Sequence, residues 1–266
     1  MGGDAVTLSY LGFHAVFVLP PLLVLAALRP PLLRSGGRVE RTALALMIVA
    51  AVLYTTPWDN AMIERGVWYY GEGTVLVRFG AVPLGEYLFF VLQTTAAGLW
   101  LSWYGVDPTF EPGDWRLGPR ALGALGALGA TAGGVALLAT PDGFYLGAIL
   151  AWACPLFALQ WAVGGGYLVR TWTRWLPAAL VPTLYFAAAD RVAIGLGIWT
   201  IAPETSTGLL VLGLPVEEGV FFLVTTLLVV WGMTLYAWLL SAHRAGTVSG
   251  RLVDALSRAA GVARWR

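Results

Sequence analysis

The chain has 266 residues, of which 58% are hydrophobic and only 12% charged, with a formal net charge of +1. This is far more apolar than a soluble globular domain, and the near-neutral charge gives no electrostatic basis for a nucleic-acid partner. All 16 basic residues are arginine, and the single cysteine, Cys154, lies in an apolar run, which excludes a disulfide framework and a thiol–metal site. Only two histidines are present, His14 and His243, far apart in the chain, so no metal site is expected and His14 reads as a polar residue within a helix bundle.

In chain order, the first spanning candidate is Val6 to Leu28, long enough for a bilayer. It does not read as a secretory signal, because no arginine precedes it while Arg29, Arg34, Arg38 and Arg41 follow. The second span is expected from Thr42 to Pro57, opening into a loop with Trp58, Asp59, Asn60, Glu64, Arg65, Trp68, Tyr69 and Tyr70. The third runs from Pro83 to Trp103, and a polar connection follows from Gly105 to Pro119. The fourth, Ala121 to Thr140, carries Gly123, Gly126, Gly129, Gly133 and Gly134, a small-residue face for close helix packing. A nucleotide-binding glycine loop fails there, because no strand precedes the glycines in a βαβ setting. The fifth span is Gly143 to Leu168, the sixth Leu176 to Ile198 and the seventh Pro215 to Leu240. After Ser241, apolar Leu252, Val253 and Leu256 alternate with Arg251, Arg258, Arg264 and Arg266, the pattern of a basic amphipathic helix on an anionic membrane surface.

The chain repeats itself. Pro83, Glu86, Phe89, Phe90 and Thr94 recur as Pro215, Glu218, Phe221, Phe222 and Thr226, each 132 residues later. Upstream, Tyr54, Asp59, Gly66 and Trp68 recur as Tyr185, Asp190, Gly197 and Trp199, each 131 residues later. This is an internal duplication. Each copy starts a membrane helix with proline and an acid, which the missing proline N–H and the helix dipole both favour. A solvated, structural helix start would explain that much. It leaves unexplained the two phenylalanines three and four residues on, which share the glutamate's face.

The fold is therefore expected to be all-α, a polytopic membrane protein of seven transmembrane helices arranged as two parallel three-helix repeats joined by a linker helix. The divisions fall at 1–110, 111–142, 143–240 and a tail at 241–266. With the N-terminus outside, 13 of the 16 arginines are cytoplasmic and only Arg65, Arg78 and Arg191 are not. An odd linker span keeps both copies in one orientation, so both acid motifs reach the same leaflet. The candidate site is Asp59, Glu86, Asp190, Glu217 and Glu218, walled by Trp58, Trp68, Trp199, Phe89, Phe90, Phe221 and Phe222. Ionisable groups inside spans are costly and are functional candidates by default. For most of the tryptophans an interfacial belt is the alternative role. Glu217 aligns with Gly85, so Glu218 is the repeat partner of Glu86.

The paired Pro-x-x-Glu motifs, each followed by Phe-Phe on a seven-span duplicated chain, resemble the membrane-integral lycopene cyclases in their fused tandem form. The resemblance covers Tyr54 to Thr226 and implies that the motif acids are Glu86, Glu217 and Glu218. The first copy departs from the family's pattern, having one acid where two are common. The resemblance also implies a carotenoid substrate, no cofactor, neighbouring carotenoid-pathway enzymes as partners, and a multi-pass place in the cell membrane. The implied reaction protonates a terminal alkene, closes a ring on the cation and removes a proton, with no net redox change. It needs an acid, a base, aromatic faces and exclusion of water. A carotenoid hydratase, in which water captures the same cation, is the alternative; a proton-coupled small-solute transporter with parallel repeats is another. A retinal protein is excluded, since no lysine is present for a Schiff base.

Overall fold

The computed structural model describes residues 8–248 and 251–261. The described residues are mostly helical: α1 (Tyr10–Ala27), α2 (Arg38–Glu64), α3 (Leu84–Tyr104), α4 (Leu117–Leu137), α5 (Phe144–Arg170), α6 (Trp172–Gly195), α7 (Val216–Arg244) and α8 (Arg251–Ala259). Six of them, α1, α2 and α4 to α7, are long and apolar enough to cross a membrane. α3, at 21 residues, is as long as α4 but is not among these six, and it carries Glu86, Gln93, Thr94 and Thr95. It packs against α1, α2, α6 and α7, so its polar positions meet protein rather than lipid. Inside α1, residues His14–Val18 form a π-helical turn, and His14 Nε2 lies 2.8 Å from the Gly85 carbonyl of α3.

α2 does not stop at Pro57. It continues to Glu64, which places Trp58, Asp59, Asn60 and Glu64 on a helix rather than in the expected loop. Proline is tolerated within membrane helices because neighbouring groups satisfy what its missing N–H frees, and Pro155, Pro177 and Pro182 sit inside α5 and α6 in the same way. The glycine face of α4 is used differently from its spacing. Gly134 abuts the α5 backbone at Gly147 and Ala151, and Gly123 faces Trp161. At Gly126, Gly129 and Gly133, by contrast, a side chain would meet no described atom within 4 Å of its Cβ. Packing selects one edge of the stripe, because a second helix can approach α4 closely along only one line. Of the arginines in the expected basic tail, Arg264 and Arg266 lie outside the described residues; α8 docks on α7, where Tyr236 donates to the Leu256 carbonyl at 3.3 Å.

The duplication is visible in local structure. α2 and α6 end identically, with Gly66 and Gly197 both at φ 69°. The bonds Val67 N to Met62 O and Gly66 N to Ile63 O are matched by Ile198 N to Ala193 O and Gly197 N to Ile194 O. These are Schellman caps, which need the left-handed conformation that glycine adopts without strain. The strands that follow, β1 (Trp68–Tyr70) and β4 (Trp199–Ile201), pair with each other antiparallel, Trp68 with Ile201 and Tyr70 with Trp199. Each pair is the other's repeat mate, so a local two-fold runs between Tyr69 and Thr200. Two small hairpins, β2 (Arg78–Phe79) with β3 (Val82–Pro83) and β5 (Leu210–Val211) with β6 (Leu214–Pro215), lead into α3 and α7 in the same register. Tyr54 of α2 donates to Trp152 O of α5 at 2.9 Å, and its mate Tyr185 of α6 donates to Phe17 O of α1 at 2.6 Å. Each half's second helix is therefore tied to the other half's first.

Candidate active site

Pro83 and Pro215 stand one residue before α3 and α7, in extended conformation at the ends of the hairpins. This leaves Glu86 and Glu218 in the first helical turns, directed between the two halves. Around them lies one cavity of about 50 Å³, whose walls include Asp59, Glu86, Asp190 and Glu218. The same walls hold Trp58, Trp68, Trp199, Phe89, Phe90, Phe221 and Phe222. Eleven of the twelve residues singled out from the sequence thus meet in one place. Glu217 does not. It is fully buried beside the β5 approach, where its Oε1 accepts bonds from the Thr207 N–H and the Thr207 hydroxyl, each at 2.7 Å. Successive residues on a helix diverge by about 100°, so Glu217 and Glu218 cannot face the same space.

Three of the four acids, Glu86, Glu218 and Asp190, are held by aromatic donors. Tyr70 donates to Glu86 Oε1 at 2.8 Å and itself accepts from Trp68 Nε1 at 3.0 Å. Tyr10 also lines the cavity beside the Glu86 carboxyl. Tyr145 donates to Glu218 Oε1 at 2.7 Å, and Trp199 Nε1 donates to Asp190 Oδ1 at 2.8 Å. Burial first, then the adjacent Glu86 carboxyl, pushes the Tyr70 phenol well above its ordinary value, so it remains a donor. Asp190 and Glu218 stand beside each other in the same cavity. Among the described residues, Asp59 Oδ2 and Asp190 Oδ2 are buried without a partner, and no arginine lines the cavity. Arg191, next to Asp190 in sequence, turns its guanidinium to Gly213 in the β5–β6 turn instead.

The walls are close-packed rings. Phe221 stacks on Trp58 at 5.9 Å and 7°, and Phe89 meets Phe222 edge-on at 6.1 Å and 77°. Aromatic faces carry negative charge density and interact favourably with a cation above them. The cavity can therefore hold a proton on carboxyls and face a cation with rings. The geometry adds residues that spacing alone did not single out, above all Tyr10 and Tyr145, each on the first helix of its half and beside that half's glutamate, with Tyr145 hydrogen-bonded to it. Their signal is Tyr10-Leu11-Gly12 and Tyr145-Leu146-Gly147, a shared tripeptide 135 residues apart and thus out of step with the other offsets. The ring of Tyr10 lies where a Cβ at residue 85 would be, which accounts for Gly85 opposite Glu217 in the repeat.

A model of a family described as lycopene cyclase matches the chain twice, over residues 7–104 and 142–239. The chain belongs to the lycopene cyclase family. Lycopene beta-cyclase of Halobacterium salinarum is 47% identical over 240 residues, covering 90% of this chain and 100% of the relative. The bifunctional lycopene cyclase/phytoene synthase of Gibberella fujikuroi is 36% identical over 240 residues, 85% of this chain and 39% of that protein. Its counterpart in Phycomyces blakesleeanus is 35% identical over 228 residues, 81% of this chain and 37% of that protein. No solved structure matches the chain. Within this lycopene cyclase, the two family matches enclose both halves of the cavity, Tyr10 to Phe90 in the first and Tyr145 to Phe222 in the second.

Proposed function

We propose that this chain cyclises the ends of lycopene to ionone rings, giving gamma- and then beta-carotene. The observation that carries the reading is the arginine-free cavity in which Glu86 and Glu218, from the two halves, share aromatic walls. Glu218, to which Tyr145 donates and beside which Asp190 stands, is the acid that protonates the terminal alkene. The tertiary cation so formed lies against Phe89, Phe221, Phe222 and Trp58, and an internal double bond of the same molecule attacks it to close the ring. Glu86, whose carboxylate is steadied by Tyr70, then takes the ring proton. One proton enters the hydrocarbon and one leaves, so no oxidant or reductant is required. We assign the return of the proton to Asp59, which interacts electrostatically with tyrosines of both glutamates. Glu217 is assigned to holding the loop at Thr207 rather than to chemistry.

The reading extends to the layout. α3 is taken as the seventh span, giving units at 1–110 and 143–240 with a linker at 111–142 and a tail at 241–266. The double family match, the mutual β1–β4 pairing and the crossed Tyr54 and Tyr185 bonds support two units related by an axis along the membrane normal. The arginine distribution favours an outside N-terminus and a cytoplasmic C-terminus in the cell membrane. Both glutamates then lie near the outer surface in one composite site. Expression in cells that accumulate lycopene, followed by pigment analysis, tests the function. Cyclic carotenes are expected, and hydroxylated acyclic products would point to hydration instead.

A further inference from the structure

The acid cavity opens beside a second, larger one of about 290 Å³. It lies between α2, α3, α5 and α7, and its walls are largely apolar, among them Met47, Ala51, Leu156, Leu159 and Val229. Among the described residues, no charged side chain lines it. Its amide nitrogens are engaged, Gln93 Nε2 with Thr225 Oγ1 and Gln160 Nε2 with Leu228 O, both at 3.0 Å, while Gln160 Oε1 is buried without a partner among the described residues. From Thr55 the chamber follows α2 back to Met47, eight residues or about 12 Å of helix. Such a space suits an elongated, uncharged hydrocarbon. The two cavities share three residues, Thr55, Phe90 and Phe221, which stand at the boundary between them.

This boundary has a mate in the other half, where a larger side chain stands. The repeat equivalents of Thr55, Phe90 and Phe221 are Phe186, Phe222 and Phe89, at offsets of 131, 132 and 132. The Phe186 ring lies 5.8 Å from Phe89, edge-on at 86°, and 6.3 Å from Phe222, stacked at 19°. A phenyl group thus packs against both phenylalanines where the first half has only threonine, and Phe186 is 2% exposed. The two boundaries of the duplication differ in bulk at this one residue.

We propose that the chamber holds the polyene chain of the substrate, threaded past Thr55 with its end group at the carboxyls, and that Phe186 bars entry from the mate side. The proposal rests on the cyclase reading. It makes Thr55 and Phe186 positioning residues that admit one end of one molecule at a time. The second ring then requires the one-ringed product to leave and return reversed.

The test compares kcat and KM for first-ring formation from lycopene by the lipid-reconstituted full chain. Rings from the wild type test the reading itself; their absence would remove that reading and this inference together. With an active wild type, Thr55→Phe and Ala51→Phe are expected to lower kcat/KM about tenfold or more, mainly through KM, because each fills the chamber with a ring. Thr55→Val, nearly isosteric, is expected to stay within about twofold. Val181→Phe, which adds the same bulk on α6 at the mate position of Ala50, is expected to do likewise. Gel filtration identifies folded chains, and if Thr55→Phe does not fold, Ala51→Phe decides. Wild-type kcat/KM in a folded Ala51→Phe or Thr55→Phe chain, or an equal loss in Val181→Phe, would overturn the proposal.

Discussion

Tyr145 donates to Glu218 Oε1 at 2.7 Å across the first and third helices of the second half, and Tyr10 stands beside Glu86 across the same two helices of the first half. A hydrogen bond to an acid that must give up its proton matters most as charge develops. Tyr145→Phe is therefore expected to lower kcat about tenfold or more, the equivalent of a bond to a charged group, with KM little changed. Single-turnover assays on the reconstituted protein provide the measurement; an unchanged kcat would separate Tyr145 from the chemistry.

If one composite site makes both rings, either glutamate is needed for the first ring. Glu218→Gln and Glu86→Gln are each expected to fold and to abolish the first cyclisation, by at least about a hundredfold for loss of a general acid or base. Accumulation of a one-ringed product at the wild-type rate from either variant would show two independent sites.

The crossed tyrosines predict a structural effect without a chemical one. Removing the bond of Tyr54 to Trp152 O or of Tyr185 to Phe17 O is expected to cost about 0.6 kcal/mol each, as for other hydrogen bonds between membrane helices. The Tyr54→Phe and Tyr185→Phe chains should unfold slightly earlier in detergent titrations. The double variant should show roughly the sum, since the two bonds share no partner.

At the far end of the bundle, the connection before α4 is fastened by Asp114. Arg170 donates to its two oxygens at 2.8 and 2.9 Å, and Trp238 Nε1 and the Glu111 N–H donate to Oδ2 at 2.9 and 3.0 Å. Burial pushes this carboxyl up, but the bonds from Arg170, the Glu111 backbone and Trp238 outweigh it and hold it below its ordinary value. A depressed folded value means stability that is present above the unfolded value of about 3.9 and is lost as the pH falls through the folded one. Asp114→Asn is expected to cost about 2 kcal/mol at neutral pH and to flatten the acid limb of the unfolding curve below about pH 4. A full acid limb in the variant would assign that dependence to other groups.

Orientation is open to direct measurement. Reporter fusions in the 105–116 connection and after residue 244 are expected to report the cytoplasm, and fusions in the 71–77 loop the outside. A cytoplasmic 71–77 loop would move the acid cavity to the other leaflet.

Much of the site is written as local pattern. Composition alone requires apolar helices, because nothing else in the chain can satisfy a backbone in lipid. The two offsets pair Asp59 with Asp190 and Glu86 with Glu218, because a duplicated segment keeps its internal spacing. What spacing cannot carry is the direction of a side chain or the span of a helix through a proline. Asp59 is inward because α2 passes Pro57 without breaking, which depends on the helices around it. Glu217 and Glu218 are alike as residues, and only helical phase against a fixed neighbour sends one to Thr207 and the other to Tyr145. Thr55 and Phe186 are equally unremarkable in sequence. Their difference acquires meaning only where Phe89, Phe90, Phe221 and Phe222 converge, because in a close-packed wall the volume of one ring decides what fits beside it.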